Sequence, residues 1–166
     1  MLTGFIDSFW SFTKQGSPDI GTAQHAVSVH RRASFSNGTG ADQANNLFVD
    51  RRTIAGAGSE EIDLAGVLSN ALGQTLTFTA IKAIRIHSDP DNGGNIVVGG
   101  AESNAFVGPF GDATDTLSIA PGGFFEVVNP SAAGWPVTAG TGDRLKVANS
   151  DAEDPASYSI EIIGEA

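Results

Sequence analysis

Short β-branched and aromatic runs, each closed by a cluster of Gly, Pro, Asn and Asp, recur along this chain. That punctuation constrains the fold more than any other feature. DTLSIA, GFFEVV, WPVTA, DRLKVAN and YSIEIIG are set apart by turn clusters such as GPFGD, PGG, NPSAAG, GTGD and SDAEDP. Extended backbone places successive side chains on opposite faces, so such runs read as strands and the clusters as reversals. From Ala26 onward, Val27, Val29, Ala33 and Phe35 alternate with Ser28, His30, Arg32 and Ser34. QTLTFTAIKAIRIH is the clearest strand: Leu76, Phe78 and Ala80 share a face with Ile84 and Ile86. Lys82 interrupts that face while Ile81 and Ala83 sit on the other, the pattern of a β-bulge or of an exposed edge. GADQANN and LSNALG read as single helical turns, the second closed by Gly73. No longer helix is expected. About nine or ten short strands spaced this way predict an all-β fold: an antiparallel, jelly-roll-like β-sandwich carrying an N-terminal arm.

The arm is expected over residues 1–24 and the β-sandwich domain over 25–166. Phe5, Ile6, Phe9, Trp10 and Phe12 would share most of one face of a short helix, or would line an extended segment. KQGSPDIGT follows as a turn-rich linker. So much apolar surface in a short segment predicts docking, so these five residues are the candidate assembly contacts.

Only 17% of the 166 residues are charged, against roughly 25% in ordinary soluble domains. Much of the surface is therefore neutral or covered by a partner. Nineteen acidic residues face nine basic ones, a net charge of −10, which argues against direct nucleic-acid binding. With no cysteine there is no disulfide, thiolate nucleophile or Cys-based zinc site. MLTGFIDSFWSF has neither a basic start nor a long apolar run, so neither a signal peptide nor a membrane span is expected.

Few stretches look chemical. HSDPDNGGN, His87–Asn95, resembles a calcium loop at first sight. Counted from Asp89, however, it puts Gly93 at the fifth ligand place and Gly100 where the bidentate Glu belongs. A turn is the expectation, with Gly93 and Gly94 supplying positive φ. His25 and His30 have opposite parity, so they and His87 make no metal site. Glu60, Glu61 and Asp63 cluster, but Glu61 and Asp63 alternate with Ile62 and Leu64 as a solvated strand face does, rather than as a glycosidase pair. Arg31-Arg32 and Arg51-Arg52 suit edge strands or salt bridges, and Asn37-Gly38-Thr39 suits a tight turn as well as a sequon. GTGAD and GTGDR lack the third glycine of a nucleotide fingerprint, and no nucleophile elbow occurs. No cofactor, metal site or catalytic residue is expected, and the chain is read as a non-enzyme.

GTGADQANNLFVDRRTIA, SEEIDLAGVLSNALGQTLTFTAIKAI, VVGGAESNAF, PGGFFEVVNP, TAGTGDRLKVANS and YSIEIIG, in this order, resemble a family of small β-rich virion structural proteins of tailed bacteriophages and related prophages. The resemblance spans roughly residues 38–164. It implies a structural role and brings no site residues with it. On that footing the first expectation is a capsid decoration or cement protein that stabilises the phage head in a small homo-oligomer. Its partners would be copies of itself and other virion proteins, above all the major capsid protein, with no membrane. A tail-tube subunit with an acidic, DNA-repelling lumen is the alternative. A fibre or receptor-binding module, with Trp135 stacking on sugar, is the third. The expected location is the virion, assembled in the host cytoplasm.

Overall fold

A computed structural model describes residues 1–66 and 68–166. Fourteen strands follow one another: β1 (Gly4–Gly16), β2 (Ala23–Asn37), β3 (Gln43–Ala44), β4 (Asn46–Ile54), β5 (Ser59–Asp63), β6 (Leu68–Ser69) and β7 (Thr75–Leu76), then β8 (Ala80–Ser88), β9 (Ile96–Gly99), β10 (Thr116–Ile119), β11 (Phe124–Val128), β12 (Trp135–Pro136), β13 (Arg144–Asn149) and β14 (Ala156–Glu165). Eight of them form two four-stranded sheets, one in the order β11-β8-β14-β4 and the other β10-β9-β13-β5. β12 adds a short pairing to the β8 end of the first.

The pairing is nested. β4 pairs with β14, β5 with β13, β8 with β11 and β9 with β10, all antiparallel. A chain folded double in this way and then rolled across two facing sheets is a jelly roll. The protein is an antiparallel β-sandwich of that topology.

The alternation in sequence explains which faces meet. In β14, Ala156, Tyr158, Ile160 and Ile162 are buried while Ser157, Ser159, Glu161 and Ile163 are less so. In β13, Leu145 and Val147 point inward between the half-buried Arg144, Lys146 and Ala148. Phe48, Ile62, Phe78, Ile84, Ile86, Ile96, Val98 and Leu145 close the core with them. Leu76, Phe78, Ile84 and Ile86 are all core.

Lys82 is the point where parity changes. Ile163 lies opposite Ala83, but the next residue, Gly164, lies opposite Ile81, so β8 has one residue more than β14 here. That bulge turns Ile81 into the core. Gly164 must be glycine, because a Cβ there would meet the Ala80 carbonyl and the Phe78 ring.

Two expected helical turns take other forms. Asn70–Gln74 is the tight turn of a small hairpin, β6-β7, because Asn70 Oδ1 accepts from both Leu72 N and Gln74 N. Gly73, at φ +75°, closes it as a reversal rather than as a helix end. Residues 38–42 bend, and β3 then pairs in parallel with the end of β2.

Candidate assembly surface

β1 and β2 form one antiparallel ribbon with unbroken register from Gly4↔Phe35 to Gly16↔Ala23. The alternative of a short helix therefore does not hold: Ser, Thr and aromatic residues alternate across an extended pair. β2 starts beside the expected division at residue 24 and runs to Asn37, so Val27 and Val29 stand in the ribbon opposite β1. Among the described residues β1 has no strand on its outer edge, and the outer edge of β2 meets only β3, at Ser36 and Asn37.

The root of the ribbon is fixed. Phe35 is buried, Leu2 N donates to Asn37 Oδ1 (2.9 Å) and Ser36 N donates to Asp42 O (3.0 Å). Asp42 N in turn donates to Pro130 O (2.8 Å). Ile6 is half-buried over the outer face of the β11-β8-β14-β4 sheet, near Ala83, Arg85, Glu126 and Ile163. Beyond Ser8 every residue of β1 is exposed, as is every residue of β2 before Ala33. Eight residues of β1 past that point, at about 3.4 Å each, carry the ribbon roughly 25 Å out.

Residues paired across an antiparallel ladder point to the same side. Of the five candidate contacts, Phe5 and Phe9 therefore lie on one face and Ile6, Trp10 and Phe12 on the other. The first face is tied together by charge. Arg32 reaches Asp7 through two 2.6 Å hydrogen bonds, His30 Nε2 stands 3.2 Å from Asp7 Oδ1, and the Arg32 guanidinium lies 4.3 Å from the Phe5 ring centre. The Arg32 hydrogen bonds, helped by His30, hold the Asp7 carboxyl below its usual range. The second face is an apolar ladder, Trp10↔Val29 and Phe12↔Val27, with Trp10 and Phe12 edge-on at 5.7 Å. Arg31 stands at its inner end and Lys14 and His25 at its outer end.

Phe5, Phe9, Trp10 and Phe12 are each 61–64% exposed. Ile6 is the exception among the five, being used at the root. Sequence reasoning missed Val27 and Val29, which complete the ladder. Their parity was visible, but only the register with β1 shows that this parity faces solvent.

Other chemical candidates resolve into structure. Asp89 accepts from Asp91 N and bridges to Arg51 at 2.6 Å, so the 88–95 segment is a turn from β8 to β9. Gly93 and Gly94 do not have positive φ; they are small because Asp151 packs against them. Glu60 bridges to Arg52 and accepts from the buried Tyr158 hydroxyl (2.9 Å), while Asp63 pairs with Arg144 at 3.0 Å. Burial, with the adjacent Glu60 carboxylate, pushes the Tyr158 phenol far above its usual range. Among the described residues no three His, Asp or Glu side chains converge as a metal-ligand set. His25 and His30 lie on opposite faces of the ribbon.

No family model matches the chain, and no curated protein does. Among solved structures it is similar to a chain from Bacillus endospore appendages, described as a family of disulfide-linked pili. The identity is 18%, over 71% of this chain and 87% of that one, with a TM-score of 0.33. A likeness at that score carries no argument about this chain.

Proposed function

We propose that this chain is a non-enzymatic structural subunit of a tailed-phage virion, acting as a decoration protein that holds neighbouring capsomers together. One observation carries the reading: a jelly roll extends a ribbon whose aromatics are solvated on both faces and whose edges, beyond the β3 pairing at Ser36 and Asn37, meet no other strand among the described residues. An isolated two-stranded ribbon is marginal in water, and exposed edges invite pairing. Such a ribbon is built to be covered. Four aromatics of about 200 Å² each, about six-tenths exposed, offer on the order of 500 Å² of apolar area, shared between the two faces of the ribbon. The resemblance of residues 38–164 to virion structural proteins supplies the setting, with the major capsid protein as the shell partner.

The uneven charge favours one second reading, a tail-tube subunit. Residues 1–37 hold three of the nine Lys and Arg and two of the nineteen Asp and Glu, leaving the sandwich at −11. A ring of such sandwiches would line a lumen that repels DNA. Antibody labelling of intact virions tests both. Gold over heads supports decoration, gold along tails transfers the assignment to the tube, and unlabelled virions overturn the phage reading.

A further inference from the structure

A groove runs along β4, between that strand and the β6-β7 hairpin. Leu47, Val49 and Leu72 line it, with Asn and Gln side chains between them, and its volume is about 420 Å³. Leu47 is 40% exposed, Val49 49% and Leu72 83%, three of the five large apolar side chains that the sandwich leaves open among the described residues. β4 ends its sheet, and such an edge is where an extended segment can add. No charged side chain lines the groove, and Met1 and Leu2 border it.

This chain's own ladder cannot fill that groove. Leu2 borders it, and β1 then runs straight, in register with β2, to Trp10 and Phe12. Eight extended residues separate Leu2 from Trp10, roughly 27 Å. The occupant must come from another molecule.

Charge identifies that molecule. The ribbon is net positive, at +1 with neutral histidines, while the sandwich is at −11. Two ladders packed face to face would bring Arg31 and Lys14 of one copy against the same cations of the other, in either orientation. A ladder meeting the acidic sandwich of a neighbour brings opposite charges together. The reversal at the ribbon's tip, Ser17–Thr22, holds Asp19 and only one large apolar side chain, Ile20, and the rings lie mid-ribbon, which does not suit insertion into a bilayer.

We propose that the Trp10–Phe12–Val27–Val29 ladder of one copy docks in the Leu47–Val49–Leu72 groove of a second copy of this chain. Donor and acceptor are different patches, so two copies that exchange ladders reciprocally close as a two-fold dimer, and copies that do not exchange them run head-to-tail into rings or filaments. The inference rests on the reading of the ribbon as an assembly arm and names that arm's partner.

Sedimentation of the full-length protein over a range of concentrations tests it, using a donor variant, Trp10→Ser/Phe12→Ser, and an acceptor variant, Leu47→Asp/Leu72→Asp. The wild type should self-associate as its concentration rises, and each variant alone should associate at least about thirtyfold more weakly. Mixed, they should pair one-to-one and stop, because each mixture contains only one working donor and one working acceptor per pair. Circular dichroism verifies that each variant is folded. If the acceptor double variant is not, Leu72→Asp alone replaces it. A monomeric wild type, an acceptor variant that assembles like the wild type, or a mixture that does not pair overturns the docking. So does Trp10-dependent binding to phosphatidylcholine vesicles without self-association. Pairing in the mixture with unlabelled virions would leave the docking standing and remove only the phage setting.

Discussion

Lys82 is fully buried, at 0% exposure, and its ammonium is held by groups from three separate segments. It donates to Ser131 O (2.5 Å), Ala132 O (2.8 Å) and Gly40 O (3.4 Å), and stands 2.7 Å from Glu165 Oε1, off the hydrogen-bond direction. Gly40 belongs to the bend after β2, Ser131 and Ala132 to the connection after β11, and Glu165 to the last strand. Lys82→Met keeps the length and bulk of the side chain but removes the charge. It leaves the Glu165 carboxylate, 11% exposed, without its cation, and removes the Lys82 donor from the Gly40 and Ala132 carbonyls, while Ser131 O keeps the Gly134 amide (3.2 Å). Breaking a buried pair from one side costs about 3–5 kcal/mol. Against a total stability on the order of 5–15 kcal/mol this is a large fraction. With a urea m-value of about 2 kcal/mol/M, the unfolding midpoint should fall by about 1.5–2.5 M. Adding Glu165→Gln to Lys82→Met should recover part of the loss, because the stranded charge is then gone. Hydrogen exchange should rise first at Asp42, whose amide bonds Pro130 O between the two loops that Lys82 joins. A midpoint shift below about 0.5 M for Lys82→Met, which corresponds to about 1 kcal/mol, would falsify the claim that this ammonium holds the root of the ribbon.

Phe78→Ala should destabilise by about 3–5 kcal/mol, since the ring is 1% exposed and packs against Gly164; an unchanged melting temperature would count against that packing. Tyr158 should stay protonated in the folded protein well past pH 10, as followed by phenolate absorbance. Its raised value means the folded state keeps a proton that the unfolded chain loses above about 10, so its contribution is intact below that pH and declines as pH rises. Tyr158→Phe should flatten that alkaline decline, and an equal slope in both proteins would refute the linkage. Removing residues 1–32 should leave the sandwich folded by circular dichroism, because everything lost beyond Ser8 on β1 is exposed and Phe35 is kept; aggregation or unfolding would show that the ribbon belongs to the core.

The sandwich was legible because its strands are amphipathic. Period-two alternation in β13 and β14 states which face is buried, and turn clusters state where each strand ends. The bulge at Lys82 was legible as a charge on an apolar face. Its cause was not, because the acceptors come from residues 40, 131 and 132, far away in sequence. The two helical turns failed for a local reason. Asn70 can bond its own backbone in a hairpin turn as readily as it can start a helix, and the choice falls to whether β6 and β7 can pair. Gly93 and Gly94 were assigned to positive φ when close approach of Asp151 is what demands them. A sequence shows that a glycine is present but not which of its two uses applies.

The same limit governs the ribbon. In the sandwich, an apolar face in sequence means a core within the chain; in β1 and β2 the same alternation faces water. Trp10, Phe12, Val27 and Val29 obey the rule of a buried strand without a second layer above them. Either the alternation is idle, at a cost in solubility that a weakly charged surface is poorly placed to offset, or the second layer is another molecule. The charge partition bears on which. Excess acidity on the sandwich keeps whole subunits apart at long range, while a near-neutral, slightly cationic ribbon escapes that repulsion and is drawn to the sandwich of a neighbour. Raising the salt concentration should therefore weaken ribbon-to-sandwich attraction but also relax repulsion between sandwiches, whereas the apolar contact of Trp10 and Phe12 is insensitive to screening. Assembly that persists at 1 M salt in the wild type yet is absent in Trp10→Ser/Phe12→Ser would assign the binding energy to the rings and only the approach to the charges.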